Sequence, residues 1–191
     1  MIILASQSPR RAELLTQMDI DFRMEPAQVD ETVHADERAA DYVERVALAK
    51  AEVVHHRFPE FPVLGSDTAV VLNQTILGKP RGRQDAIAML LSLSGRPHEV
   101  LTGVALTTAD DVTQYRLSVS RVIFRDISEQ EADAYWTTGE PTDKAGGYAV
   151  QGLAAAFIER IEGSYSGIMG LPLFETMQLL GTIGVHGRRP V

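Results

Sequence analysis

The chain of 191 residues has no cysteine. That excludes disulfides, a thiolate nucleophile and thiolate metal ligands. Long apolar runs are missing as well: none approaches the ~20 residues that span a bilayer. The stretch Met1–Ala5 is too short for a signal peptide and lacks a basic leader, so it reads as a first strand. Together these features favour the cytoplasm and no membrane. There is no excess of positive charge either. A net charge of −8 argues against an extended nucleic-acid partner, which needs a basic surface. A small phosphorylated ligand stays open, because local basic residues decide its binding. H-E-x-x-H, G-x-S-x-G, the P-loop and the dinucleotide fingerprint are all absent. His55-His56 lack the i, i+4 spacing of a helical metal pair and read as an exposed turn at a helix C-terminus.

What is present is an ordinary globular composition, 45% hydrophobic and 23% charged. The length suits one large domain or two tightly joined lobes. Strands and helices alternate early and long antiparallel hairpins dominate later, the pattern of a mixed-sheet α/β protein.

The chain is organised around Phe61–Pro80. Val63, Leu64 and Ala69 to Leu72 form an apolar strand suited to burial on both faces. Asn73-Gln74 is a turn, and Thr75 to Leu77 starts a return strand. Ser66, Asp67 and Thr68 interrupt the apolar run. Aspartate fits a strand interior poorly, and an unpaired buried carboxylate is costly. Asp67 therefore awaits a cation or a proton-transfer task; the alternative is a strand-end aspartate capping nearby backbone. Lys79, in Gly78-Lys79-Pro80, is placed to return beside it.

Ahead of this stretch, Ser8-Pro9 matches an N-cap followed by proline at the first helical position. The helix runs from about Arg10 to Met18. Arg10 and Arg11 stand in its first turn, where free N–H groups and the dipole already attract anions. Phosphate binding and a solvated basic turn are both compatible with this. Phe22–Met24 reads as a strand and Ala39–Val54 as a helix bearing Arg45 and Lys50. After the central hairpin come a helix (Gln84–Leu93), a strand (His98–Thr107) and its partner (Val112–Arg125). A capping box at Ser128 and Glu131 opens a further helix. The glycine-rich run Asp143–Gly152 carries Lys144 and Gln151, an amide able both to donate and to accept. Leu153–Ile161 reads as a strand, Gly163–Gly167 as a tight connection, and Leu171 onward as a final helix to about Leu180.

Acids for a hard divalent cation (Asp67, Glu31) thus accompany cations for a polyphosphate (Arg10, Arg11, Lys50, Lys79, Lys144). Mg²⁺ binds through few carboxylates and keeps waters and substrate oxygens. Metal-assisted hydrolysis of a phosphoanhydride is the natural reaction class.

Leu4-Ala5-Ser6-Gln7-Ser8-Pro9-Arg10-Arg11, Val29-Asp30-Glu31, Lys50-Ala51 within an A-x-x-K-A pattern, Gly65-Ser66-Asp67-Thr68, Gly78-Lys79-Pro80, Thr102-Gly103-Val104-Ala105, Asp143-Lys144-Ala145-Gly146 with Tyr148, and Gly170-Leu171-Pro172 occur in this order. With these motifs the whole chain resembles the Maf family of nucleoside triphosphate pyrophosphatases. The resemblance implies a fold similar to inosine triphosphatases: an elongated mixed β-sheet with flanking helices and two lobes around a cleft. It implies a single domain over 1–183; the residues of 184–191, GVHGRRPV, read as a flexible tail. It also implies cleavage between the α- and β-phosphates, assisted by Mg²⁺ or Mn²⁺. Asp67 then corresponds to the proton acceptor and Glu31 to a catalytic or metal-organising acid. Ser8, Arg11, Lys50 and Lys79 correspond to phosphate-site residues. Arg10, Thr68 and Gln151 resemble the specificity positions of members that prefer dTTP and UTP. Modified pyrimidine nucleotides and a homodimer stay open. The family's tie to septum formation also allows a nucleotide-binding regulator of cell division, but a sensor has no need of Asp67 and Glu31 beside the phosphates.

Overall fold

The structure, a computed structural model, describes residues 1–187. Its centre is a seven-stranded mixed sheet. The strands are β1 (Ile2–Leu4), β2 (Phe22–Met24), β3 (Val63–Leu72), β4 (Thr75–Leu77), β5 (Pro97–Thr107), β6 (Thr113–Phe124) and β7 (Ile158–Glu162). The order is β2-β1-β3-β5-β6-β7, with β4 also on β3. β1 is parallel to both β2 and β3, and every other pairing is antiparallel. The helices are α1 (Pro9–Gln17), α2 (Ala39–His55), α3 (Arg83–Leu93), α4 (Glu129–Thr137), α5 (Tyr165–Met169) and α6 (Leu173–Gly181). This is the mixed α/β architecture expected from the alternation of patterns. No helix among the described residues is long and apolar enough to cross a membrane.

Two properties of β3 position the site. On one side it pairs with β5 from Val63 to Val71. On the other, β1 reaches only Leu64 and β4 begins at Val70. Gly65 to Ala69 therefore lies where two neighbours diverge, and the opening is a cleft. Second, the side chains alternate. Gly65, Asp67, Ala69 and Val71 face α2, whose Tyr42, Val43 and Val46 pack on Ala69 and Val71. Leu64, Ser66, Thr68 and Val70 face the opposite way.

That opposite face carries two separate cores. One gathers Ile2, Leu4, Leu15, Leu64, Val104, Leu106, Leu179 and Leu180. The other gathers Val70, Leu90, Leu93, Val100, Val122, Phe124 and Phe157. A polar stripe divides them: Ser66 and Thr68 on β3, Thr102 on β5, Ser118 and Ser120 on β6. Backbone around α5 lies on the stripe and satisfies it. Thr102 donates to Gly167 O at 2.8 Å, Ser120 to Ser164 O at 3.2 Å, and the Ser66 hydroxyl is shared between Gly103 O and Gly170 O.

Local differences from the sequence reading have identifiable causes. His55 is not an exposed turn residue: it is 3% exposed, because the β5–β6 hairpin folds over the end of α2 and brings Asp111 Oδ1 to 3.0 Å from its Nε2. Residues Leu153–Phe157 are a 3₁₀ turn, and only Ile158–Glu162 is a strand. The i, i+3 spacing of Ala154 and Phe157 buries both in this turn, where a strand would have put them on opposite faces. Gly163–Gly167 holds the start of α5, capped by Ser164, whose Oγ accepts the Gly167 N–H. Ser8 occupies the N-cap of α1 but makes no capping bond. The segment after α6 is not wholly a tail: Val185 N–H bonds Leu180 O at 3.0 Å and its side chain packs on the first core. The remainder of that expected tail, 188–191, lies outside the described residues.

Candidate active site

A cleft of ≈ 790 Å³ is lined by the Ala5–Arg11 turn, Glu31, Lys50, Asp67, Thr68, Lys79, Lys144 and Gln151. The candidate acids and phosphate- and base-binding residues named from the sequence, Arg10 among them, all border it.

Its chemical centre depends on how closely α2 lies on the sheet. A Cβ on Gly65 would collide with the backbone of Ala47 and Ala51. With glycine there, the helix settles down and Lys50, on its buried face, reaches β3. Lys50 Nζ lies 2.8 Å from Asp67 Oδ1 and 2.7 Å from Glu31 Oε1. One buried ammonium thus bridges two carboxylates from different segments. Asp67 Oδ2 is buried with no hydrogen-bond partner among the described residues. Burial pushes the Glu31 carboxyl up, but the Lys50 hydrogen bond and the charges of Lys50, Lys79 and Arg11 outweigh it and hold it below its ordinary value. Lys79 does not pair with Asp67 as the hairpin suggested. Lys50 takes that place, and Lys79 acts on Glu31 from the cleft wall.

Glu31 sits on an irregular segment, and α2 straps that segment down. Arg45 binds Glu37 through Nε (2.6 Å) and Nη2 (2.9 Å), and donates to Thr32 O (3.0 Å) and Asp30 O (3.3 Å). Tyr42 donates its hydroxyl to Glu31 O at 3.2 Å. Burial pushes the Tyr42 phenol upward, so it remains a donor.

On the opposite face of β3, Arg11 is buried. Its Nε donates to Gly170 O (2.7 Å), Nη1 to Ser6 Oγ (3.2 Å) and Nη2 to Thr68 Oγ1 (3.4 Å). Burial lowers its pKa, partly offset by Asp67. Arg11 is therefore as much a tie between α1, β3 and the turn after α5 as a donor toward the cleft. Thr68 Oγ1 is also 3.0 Å from Thr102 Oγ1. Arg10 is half-buried at the rim, where its charge helps to lower the Asp143 pKa behind the hydrogen bond from Lys144. Lys144 pairs with Asp143. Gln151 is exposed on the lining and makes no side-chain hydrogen bond among the described residues.

The residue pattern did not single out Ser66, Thr102, Tyr42 or the Gly170 carbonyl as parts of the site. Three serines and two threonines spread over three strands are a weak signal for the polar stripe. Arg45 was visible as a cation on α2, but its target was not.

No cluster of three or more His, Cys, Asp or Glu is present among the described residues. Two carboxylates with one unsatisfied buried oxygen do not form an all-protein cage. They suit Mg²⁺ or Mn²⁺, which take one or two carboxylates and complete their shell with water and phosphate oxygens. They do not suit Zn²⁺.

The chain is 51% identical to a dTTP/UTP pyrophosphatase of Alkalilimnicola ehrlichii, over 98% of this chain and 95% of that one. Proteins of the same name from Hahella chejuensis and Methylobacillus flagellatus are 51% and 52% identical, over 96% of this chain and 92% and 93% of theirs. Among solved structures, the Ham1 protein of Staphylococcus aureus superposes with a TM-score of 0.48 and 14% identity, over 64% of this chain and 71% of that one. That overlap is too partial to carry an argument, and the fold stands on its own topology. The model of the family described as Maf-like protein matches residues 1–183, and the chain belongs to the Maf family.

Proposed function

We propose that this protein hydrolyses dTTP and UTP to the monophosphate and pyrophosphate. The observation that carries the reaction class is the Glu31–Lys50–Asp67 bridge beside a cationic cleft wall. The substrate choice rests on relatives at about half identity that bear the name dTTP/UTP pyrophosphatase.

In this reading Asp67 Oδ2, the carboxylate oxygen left without a partner, takes a proton from the attacking water. The water oxygen bonds the α-phosphorus, the bond from that phosphorus to the bridging oxygen breaks, and pyrophosphate leaves. Lys50 fixes the orientation of Asp67 and helps to hold the Glu31 carboxyl below its ordinary value. Asp67 and Glu31 would hold Mg²⁺ or Mn²⁺, which when bound neutralises phosphate charge. Ser8, the first turn of α1, the remaining N–H groups of Arg11, Lys79 and Lys144 receive the phosphates. The two cores on either side of the polar stripe are the two lobes of a single domain over 1–183.

Gln151 reads the base, together with Thr68 and Arg10. Its amide is not spent on neighbouring residues and can donate to a 4-keto oxygen while accepting from N3–H. Cytosine reverses that pattern and would leave donors facing donors. The test is a pyrophosphate-release panel over common and modified triphosphates. The reading requires kcat/KM for dTTP and UTP to exceed that for CTP, purines and 7-methyl-GTP. CTP or 7-methyl-GTP as the best substrate would overturn the base assignment.

A further inference from the structure

Gln151 has no side-chain partner of its own among the described residues, so the backbone on either side sets where its side chain enters the cleft. Both sides are tied to one pair of side chains. Tyr135 on α4, 4% exposed, accepts the Ala149 N–H at 3.2 Å and donates its hydroxyl to Glu140 Oε1 at 2.6 Å. Glu140 Oε2 accepts the Leu153 N–H at 3.0 Å, and Ala154 N lies 3.4 Å from Oε1. Gly152 makes room for this: a Cβ there would overlap the Glu140 carboxylate. Neither Tyr135 nor Glu140 lines the cleft. Burial, then the hydrogen bond to Glu140, keeps the Tyr135 phenol protonated and donating.

We propose that Glu140, with Tyr135, is a positioning residue for base selectivity, because the pair fixes the loop from Ala149 to Leu153 and with it the place from which the Gln151 amide reaches the base. The proposal rests on the reading of Gln151 as the base-contacting residue. A rejected base is costly only while the mismatched amide stays buried against it. If the loop is released, the amide swings away, the mismatch is relieved, and the correct base loses a preorganised partner. Bonds to a charged carboxylate are the stronger kind, which suits a brace.

The experiment measures kcat and KM for UTP and CTP in wild type, Glu140→Gln, Gly152→Ala, Tyr135→Phe, Gln151→Ala and the double variant Glu140→Gln/Gln151→Ala. Glu140→Gln sets an N–H₂ group against the Leu153 N–H. Gly152→Ala evicts the carboxylate while keeping an extended backbone, φ −103° and ψ −153°. Both are expected to lower the UTP/CTP ratio of kcat/KM by about fivefold or more, the low end for one lost buried hydrogen bond. The change falls on KM for UTP more than on kcat, and Glu140→Gln adds no further change in ratio once Gln151 is alanine. If Gln151→Ala collapses the ratio while Glu140→Gln and Gly152→Ala hold it within about twofold, the brace is refuted and the Gln151 reading stands. If Gln151→Ala leaves the ratio unchanged, both are overturned. Equal losses for UTP and CTP in the Glu140 and Gly152 variants would mark the pair as purely structural and overturn the proposal. Should Glu140→Gln fail to fold, Gly152→Ala and Tyr135→Phe decide.

Discussion

The Lys50 ammonium and the Asp67 carboxylate meet at 2.8 Å with both side chains less than a tenth exposed. A buried pair is weak evidence of net stabilisation, but removing one partner strands the other. Lys50→Met is expected to cost about 3–5 kcal/mol near neutral pH. Urea midpoints of wild type and variant near neutral pH check this. An unchanged midpoint would contradict the pairing.

The strap on the Glu31 segment gives a second expectation. Arg45→Ala removes four hydrogen bonds from residues 30–37 while leaving Lys50 and Asp67 in place. Pyrophosphate release should fall by about tenfold or more, within the range for misplacing a catalytic group, and half-maximal activity should need more divalent cation. Unchanged metal dependence in steady-state assays would show that Arg45 does not position Glu31.

Much of this centre was legible in the sequence. An aspartate inside an apolar strand is costly unless it has a task, and Asp67 has Lys50 and an unsatisfied oxygen. Lys50 itself falls in register with Val43, Val46, Ala47 and Val54 on the core face of α2, a place no solvated lysine takes. Which cation would meet Asp67 was not legible: Lys79 is nearer along the hairpin, and the close approach allowed by Gly65 decided for Lys50. Burial of His55 was hidden for a similar reason, since its cover comes from Asp111 on a hairpin 56 residues on. The turn at Leu153–Phe157 has an apolar run compatible with either a strand or a turn, and tertiary burial of Ala154 and Phe157 chose the turn.

Chelation is expected to stop hydrolysis, and added Mg²⁺ or Mn²⁺ to restore it, since two carboxylates and the phosphates make up the available oxygen ligands. Full turnover in excess chelator would contradict this part of the account.

His98 offers a test of pH-dependent stability away from the chemistry. It is 2% exposed, its Nε2 is 2.8 Å from the Tyr148 hydroxyl, and its ring packs edge-on against Phe124. Burial lowers its pKa from 6.5 to about 4. The unfolded chain therefore binds a proton that the folded chain refuses. The neutral-histidine contribution is complete above about pH 6.5 and is lost as pH falls toward about 4, roughly 3 kcal/mol in all. In denaturant titrations across that window, His98→Gln should show a shallower acid limb than wild type. Parallel limbs would show that His98 is not the group responsible.

The most direct measurement compares wild type with Asp67→Asn on dTTP, with products separated by chromatography and nucleotide binding followed by calorimetry. The account predicts dTMP and pyrophosphate from wild type. It predicts a fall of about 10²–10⁴-fold in turnover for the variant, the usual range for losing a general base, with dTTP still bound. Near-normal turnover by Asp67→Asn, or diphosphate and inorganic phosphate as the wild-type products, would contradict it.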